Sequence, residues 1–257
     1  MSVKDEMREM EQAGEDQPLD PRKPIYLRID GKNFSKMVKK WKLQQPLDTD
    51  FSTAMIGTTR ILCTQAQGSV FGYTQSDEIT IFLMPQNDKS EVWFNGRREK
   101  LVSISASMVT SVFNFLNNKD AMERGVSIYD LKDQASFDCR ARNIDKEMIL
   151  SYLIWRVRDS YKNAVTKISR SQFSHRQLNG IDTKTKEEMM AERGFPISDY
   201  PNHMLYGTFF YKVQETLYND ETDIDYLRNR WVQRSDWKAV NEAILANVIE
   251  KGYGEDR

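Results

Sequence analysis

Three observations predict an α+β fold for this chain. Apolar and polar residues alternate over 25–30, with Ile25, Leu27 and Ile29 on one face and Tyr26, Arg28 and Asp30 on the other, as in a half-buried strand. Further strand-like runs recur at 69–73, 78–83 and 135–142. Helical periodicity fills the intervals and takes over from about Ile144.

In chain order, residues 1–20 hold seven acids against Lys4 and Arg8, and read as an exposed first helix or a frayed, solvated terminus. Pro18, Pro21 and Pro24 lead into the first strand, and Gly31 ends it. Two helical stretches follow at 33–41 and 48–67, the second with Asp48 as its N-cap. The polar turn Thr74-Gln75-Ser76-Asp77 joins the next two strands. A long amphipathic helix spans 97–116, with Leu101, Ile104, Met108, Val112 and Phe115 on one side. The order strand, helix, two strands, helix, strand is the split arrangement of the ferredoxin-like fold. Beyond it, helices are expected at 144–168, 183–193 and 235–251, with a β-rich interruption at 205–213. The chain thus reads as an acidic N-terminal segment (1–23), an α+β domain (24–143) and a mostly helical region with a tail (144–257).

Composition narrows the chemistry. The 37 basic and 38 acidic residues cancel to a net charge of −1, so bulk charge does not announce a nucleic-acid binder. No apolar run exceeds four residues, far short of the ~20 that a membrane-spanning helix needs. Acids stand where a signal peptide carries bases, which predicts a cytoplasmic protein. Cys63 and Cys139 give neither a disulfide framework nor a thiolate zinc site, and Cys63 reads as a small buried hydrophobe. His175 and His203 are too few for a histidine-rich metal centre. The working groups must be carboxylates, lysines and arginines.

In a ferredoxin-like sheet the first and third strands are antiparallel neighbours, so the end of one lies beside the start of the other. Asp30 occupies the first point and Asp77 the second. Two sequence-distant carboxylates beside Gly31 suit Mg²⁺, which takes a few hard oxygen ligands and shares its shell with water and phosphate. Such ions serve phosphoryl transfer. A single Asp at a strand end is commonly just solvated; the pairing of two carries the functional reading. Between Tyr161 and Gly180 four bases (Lys162, Lys167, Arg170, Arg176) stand without an acid, interleaved with Phe173 and His175, a composition that fits RNA backbone contact.

Seven motifs in order carry a family resemblance: Leu27-Arg28-Ile29-Asp30-Gly31-Lys32-Asn33-Phe34 with Pro46 and Asp48; Ser76-Asp77-Glu78; Gly96-Arg97-Arg98-Glu99-Lys100-Leu101-Val102-Ser103; Phe137-Asp138-Cys139-Arg140; Trp155-Arg156-Val157-Arg158-Asp159; Leu178-Asn179-Gly180 with Lys186-Glu187-Glu188; and Gly207-Thr208. From about Pro24 to Lys212 the chain resembles the tRNA-histidine guanylyltransferase-like family of 3′–5′ nucleotide polymerases. The resemblance implies a polymerase palm with a helical fingers region. It implies two Mg²⁺ ions held by Asp30, Asp77 and the Gly31 carbonyl, and a triphosphate cradled by Asp30, Gly31, Lys32, Asn33, Phe34 and Ser35. Ser76 would line the same pocket, while Asp48 and the segment Gln44-Gln45-Pro46 would meet the base of an activating ATP or GTP. Arg97 is expected on a triphosphate, with Lys100 and Lys186 among the catalytic cations. Arg158, Lys162, Asn163, Lys167, Arg170 and Arg176 are expected on RNA. Glu78 and Asp138 are expected to be structural, Asp138 as a cap or as a partner of Arg140. The resemblance also implies a homotetramer acting on tRNA.

One departure bears on substrate. Family members dedicated to tRNA-histidine carry a His-x-Asn-Asn-type motif after the Trp-Arg helix start; here the aligned residues are Tyr161, Lys162, Asn163 and Ala164, as in the bacterial and archaeal-like branch. The expectation is 3′–5′ addition to the 5′ end of tRNA, favouring templated repair of 5′-truncated tRNA. Alternatives are G addition to tRNA-histidine, a palm-type nucleotide cyclase, and an inactive RNA-binding module.

Overall fold

The computed structural model describes residues 3–12, 19–46, 48–85, 90–123, 134–219 and 224–237. Its strands are β1 (Ile25–Gly31), β2 (Ser69–Gln75), β3 (Glu78–Leu83), β4 (Phe137–Asn143), β5 (Thr208–Asn219) and β6 (Ile224–Arg234). Its helices are α1 (Val3–Gln12), α2 (Phe34–Lys40), α3 (Thr49–Gln65), α4 (Arg98–Glu123), α5 (Met148–Ser169), α6 (His175–Leu178), α7 (Thr183–Glu192) and α8 (Asn202–Tyr206). The strands form one antiparallel sheet in the order β4-β1-β3-β2-β5-β6, whose first four follow the expected ferredoxin-like arrangement. The fold is α+β, as the alternation and element order predicted.

Four details differ from the sequence reading. The turn between β2 and β3 is shorter than expected: both strands extend inward, leaving Ser76 and Asp77 alone at the corner, with Ser76 at φ 48°. The buried stripe of α4 is Leu101, Ser105, Val109 and Phe113, whereas Ile104 and Phe115 are exposed. A small serine inside the stripe disguised its i, i+4 spacing. The β-rich stretch near 205–213 is the start of the long β5, and β6 pairs with it where no strand was expected. Past Tyr211 this ribbon leaves β2, so its two faces lack the apolar alternation that marks a core strand. Finally, α1 buries Met7 against the sheet despite its acidic surface. The expected helix at 235–251 lies outside the described residues beyond Trp237.

The sheet has two covered faces. On one, Ile25, Leu27, Ile29, Ile79, Ile81 and Leu83 pack against α3 and α4. On the other, Tyr26, Phe71, Tyr73, Phe82 and Phe209 pack against Tyr152, Leu153 and Val157 of α5. A third cluster, built on Val165, Ile168, Leu178, Met190 and Leu205, ties the end of α5 to α6, α7 and α8. Cys63 is buried as expected, and burial pushes its thiol up to about 12.

Candidate active site

The register of β1 and β3 places Asp30 opposite Glu78, and the Gly31 N–H donates to the Asp77 carbonyl at 3.1 Å. Asp30 and Asp77 therefore meet at one end of the sheet, at the junction the topology predicted. On the other flank of β1, Asp138 of β4 faces Asp30. Four carboxylates gather at this rim, but they are not equivalent. Glu78 is buried and accepts from Arg156 Nε at 2.7 Å and from Arg28 Nη2 at 3.0 Å, so two guanidinium groups neutralise it. Asp30, Asp77 and Asp138 have no ion-pair partner among the described residues. Asp138 does not pair with Arg140, so its expected partnership is corrected: β4 puts it beside Asp30 instead. Burial, then the charges of Glu78 and Asp77, raise Asp30 to a pKa of about 6. Burial also raises Asp77, opposed by the Ser76 hydroxyl, which donates to its carboxylate at 2.9 Å.

That electrostatic strain is what a hard divalent cation would relieve. Two carboxylates short of positive charge, beside a main-chain turn, fit Mg²⁺ better than a softer metal, since no cysteine or histidine joins them. Among the described residues no cluster of three or more metal-binding side chains exists, so the rest of such a shell would come from carbonyl, water and phosphate oxygen.

Next to this rim opens a cavity of about 930 Å³. Its walls come from α2 (Phe34, Ser35), the α3 cap (Asp48), the β2–β3 corner (Ser76, Asp77) and α5 (Asn163, Lys167, Arg170). All of these were expected site residues, reached from three separate stretches of the chain. Asn163, Lys167 and Arg170 recur every three to four residues, so one face of α5 looks into the cavity. The cavity walls desolvate Lys167 and lower its pKa, while Asp77 and Asp48 oppose that shift from across the space. Lys186 donates to Thr166 at 3.2 Å, at the cavity edge.

The turn after β1 is tightly built. A side chain at Gly31 would strike the ring of Phe34, which is wedged among Phe51, Phe113 and Phe137. Of the N–H groups expected to cradle phosphate, those of Gly31 and Lys32 are already donated to Asp77 and Ser136. The first-turn N–H groups of α2, at Phe34 and Ser35, have no acceptor within the helix. Asp48 does cap α3, accepting from Phe51 N–H at 2.9 Å, while its other oxygen accepts from Gln44 N–H at 3.0 Å. Its carboxylate thus ties Gln44 to the start of α3 as well as lining the cavity.

Other expected residues lie elsewhere. Arg97 and Lys100 stand at the start of α4, while Phe113 further along it packs on Phe34 at the Asp30 end. At 1.5 Å rise per residue this separates Lys100 from the carboxylate rim by roughly 20 Å within the chain. There Lys100 lies over the Phe94 ring at 6.0 Å and Arg97 donates to the Phe94 carbonyl at 3.3 Å. Arg158 and Lys162 face a second, smaller pocket, and Arg176 sits exposed on α6. Phe173 is buried beneath Arg193. Sequence reasoning missed Lys39, Lys42, His203 and Thr208 in the main cavity wall, and the clamp of Arg156 on Glu78. The burial of Arg156 was readable from the helix period of α5; its partner was not.

Comparison with known proteins agrees with this geometry. The sequence model of tRNAHis guanylyltransferase matches residues 4–145. An uncharacterized protein of Acanthamoeba polyphaga mimivirus is 31% identical over 99% of this chain and 91% of its own length. The tRNA(His) guanylyltransferase of Schizosaccharomyces pombe is 31% identical over 65% of this chain and 60% of its own length. A bacterial tRNA(His) guanylyltransferase-like protein, solved in complex with ATP, superposes with a TM-score of 0.75 at 26% identity, covering 96% of this chain and 99% of that one. With the carboxylate rim, the cavity and these matches in agreement, the chain belongs to the tRNA-histidine guanylyltransferase family of nucleotidyltransferases.

Proposed function

We propose that this enzyme adds nucleotides to the 5′ end of tRNA in the 3′–5′ direction, and that its preferred task is templated repair of 5′-truncated tRNA. The observation that carries the reading is the junction of Asp30 and Asp77, with Asp77 lining the 930 Å³ cavity together with Lys167 and Arg170. A 5′-monophosphate is first activated with ATP or GTP; the 3′-hydroxyl of an incoming nucleotide then attacks the activated phosphate and expels the leaving group. Asp30, Asp77 and the Gly31 carbonyl hold Mg²⁺, which when bound supplies charge neutralisation for phosphoryl transfer. Phe34 and Ser35 N–H groups orient the triphosphate, and Lys167 and Arg170 offset phosphate charge. In this reading residues 24–143 form the palm and 144–257 the fingers and RNA-binding region, working in the cytoplasm as a homotetramer.

The preference for repair rests on the 161–164 departure. Tyr161 is occupied in a parallel stack on Tyr206, with centroids 5.3 Å apart, and Ala164 offers only a methyl group. Selection then falls to base pairing, which aligns the incoming 3′-hydroxyl for attack. Measuring kcat/KM on 5′-truncated tRNAs of several identities and on intact tRNA-histidine tests this, with the truncated substrates expected to win. A preference for intact tRNA-histidine that disappears when its anticodon is changed would overturn the repair reading. Cyclic product without RNA lengthening would indicate the cyclase alternative.

A further inference from the structure

On the flank of α5 adjoining its cavity-facing side lies a second pocket, of about 260 Å³, lined by Val157, Arg158, Tyr161, Lys162, Thr183, Tyr206 and Trp237. Its surface divides by chemistry. Tyr161 and Tyr206 lie nearly parallel, 9° apart, and Trp237 packs on Phe209 of the core, so a rigid aromatic wall stands inside. Arg158 and Lys162, one helical turn apart, are exposed at the rim and make no ion pair among the described residues. A rigid apolar slot with two free cations at its mouth is the recognition chemistry of a single-stranded nucleotide. The base offers its π-face to the aromatic wall, and the flanking phosphates meet the cations.

Position along α5 says which strand would enter. Lys162 is followed directly by Asn163, which lines the main cavity, and Arg158 lies roughly 14 Å from Lys167 along the helix. A tRNA whose 5′ end occupies the main cavity necessarily brings the opposite strand alongside, and beyond the stem that strand is unpaired. We propose that this pocket stacks an unpaired nucleotide of the strand opposite the 5′ end, and so anchors the substrate next to the growing point. The inference rests on the tRNA reading above and adds to it a specific contact outside the reacting groups.

The test uses the full chain with two acceptor-stem hairpins, one blunt and one carrying a single-stranded 3′ extension with 2-aminopurine at its first unpaired position. The extension is expected to tighten binding about tenfold, the effect of one stacked base, and 2-aminopurine fluorescence should fall on binding. Trp237→Leu should shrink the tightening and the quenching together; because Trp237 also packs on Phe209, Arg158→Gln at the exposed rim provides a second variant, expected to reduce the tightening severalfold. Equal binding of both hairpins by the wild-type chain would overturn the site, as would an extension effect unchanged in both variants. Nucleotide addition to the extended hairpin, whose 3′ overhang supplies the template, is scored in the same preparations. Addition without an extension effect on binding would defeat this inference alone, whereas failure to lengthen that RNA would defeat the tRNA reading itself.

Discussion

On the face covered by α3 and α4, the side chains that β1 and β3 contribute are all aliphatic, and the ring cluster of Phe34, Phe51, Phe113 and Phe137 closes the top. On the face covered by α5 the same two strands contribute Tyr26, Phe82, Arg28 and Glu78, with the bare carboxylate of Asp30 at the upper rim. One face gains stability from burial alone. The other spends part of its burial on charges that must be paired, because an unpaired buried charge costs far more than a missing methyl group. The lesson is that the chemistry sits where α5 replaces aliphatic packing with guanidinium groups, and that the opposite face supplies the stability this requires.

Three measurements would break or sharpen that contrast. The largest effect is expected on the aliphatic face, where Phe113→Ala removes a fully buried ring and should destabilise the fold by about 4 kcal/mol in denaturant titration. A loss below ~1 kcal/mol would mean this face is not the stability reserve. On the other face, Arg156→Met strips the bidentate partner from Glu78 and leaves Arg28 as its one cation among the described residues, so a loss of about 3 kcal/mol is expected. Glu78→Gln in the same background should recover part of it; no recovery would show that Arg156 matters for packing and not for charge.

The smallest effect has the opposite sign. The folded chain raises Asp30 to about 6 from its ordinary 3.8, so the fold binds that proton more tightly than the unfolded chain does. The corresponding stability is fully present below the ordinary value and is lost as pH rises through 6. Asp30→Asn should therefore make the metal-free protein more stable by about 1 kcal/mol above pH 6, after allowing for solvent screening, and the gain should vanish toward pH 4. Adding Mg²⁺ should raise the melting temperature of the wild type and not of this variant. A wild type that is the more stable of the two at neutral pH without metal would remove the electrostatic basis for the metal site.

What was legible in the sequence follows the same division. Alternation in β1 and β3 is clean because one face of each strand is purely aliphatic, and the antiparallel register then places Asp30 by Asp77 with no further information. Where polar residues enter buried positions, periodicity says less: Ser105 hid the inner stripe of α4, and the period of α5 could place Arg156 inward but could not name Glu78 as its partner. Lys39, Lys42 and His203 reach the cavity through packing between distant segments, and nothing in their local sequence marks it. Arg97 and Lys100 show the converse, since a motif in the right order along the chain lies at the far end of the sheet in space.

The Glu78 clamp also has a mechanical consequence. Arg156 belongs to α5 and Glu78 to the first position of β3, directly after Asp77, so the ion pair bolts the helix wall of the cavity to the carboxylate corner. With these two walls tied together, narrowing of the cavity around a nucleotide is expected at α2 and the 42–46 segment, which also line it. Hydrogen exchange that slows on nucleotide binding at 34–46 but not at 156–167 would be the signature of such one-sided closure.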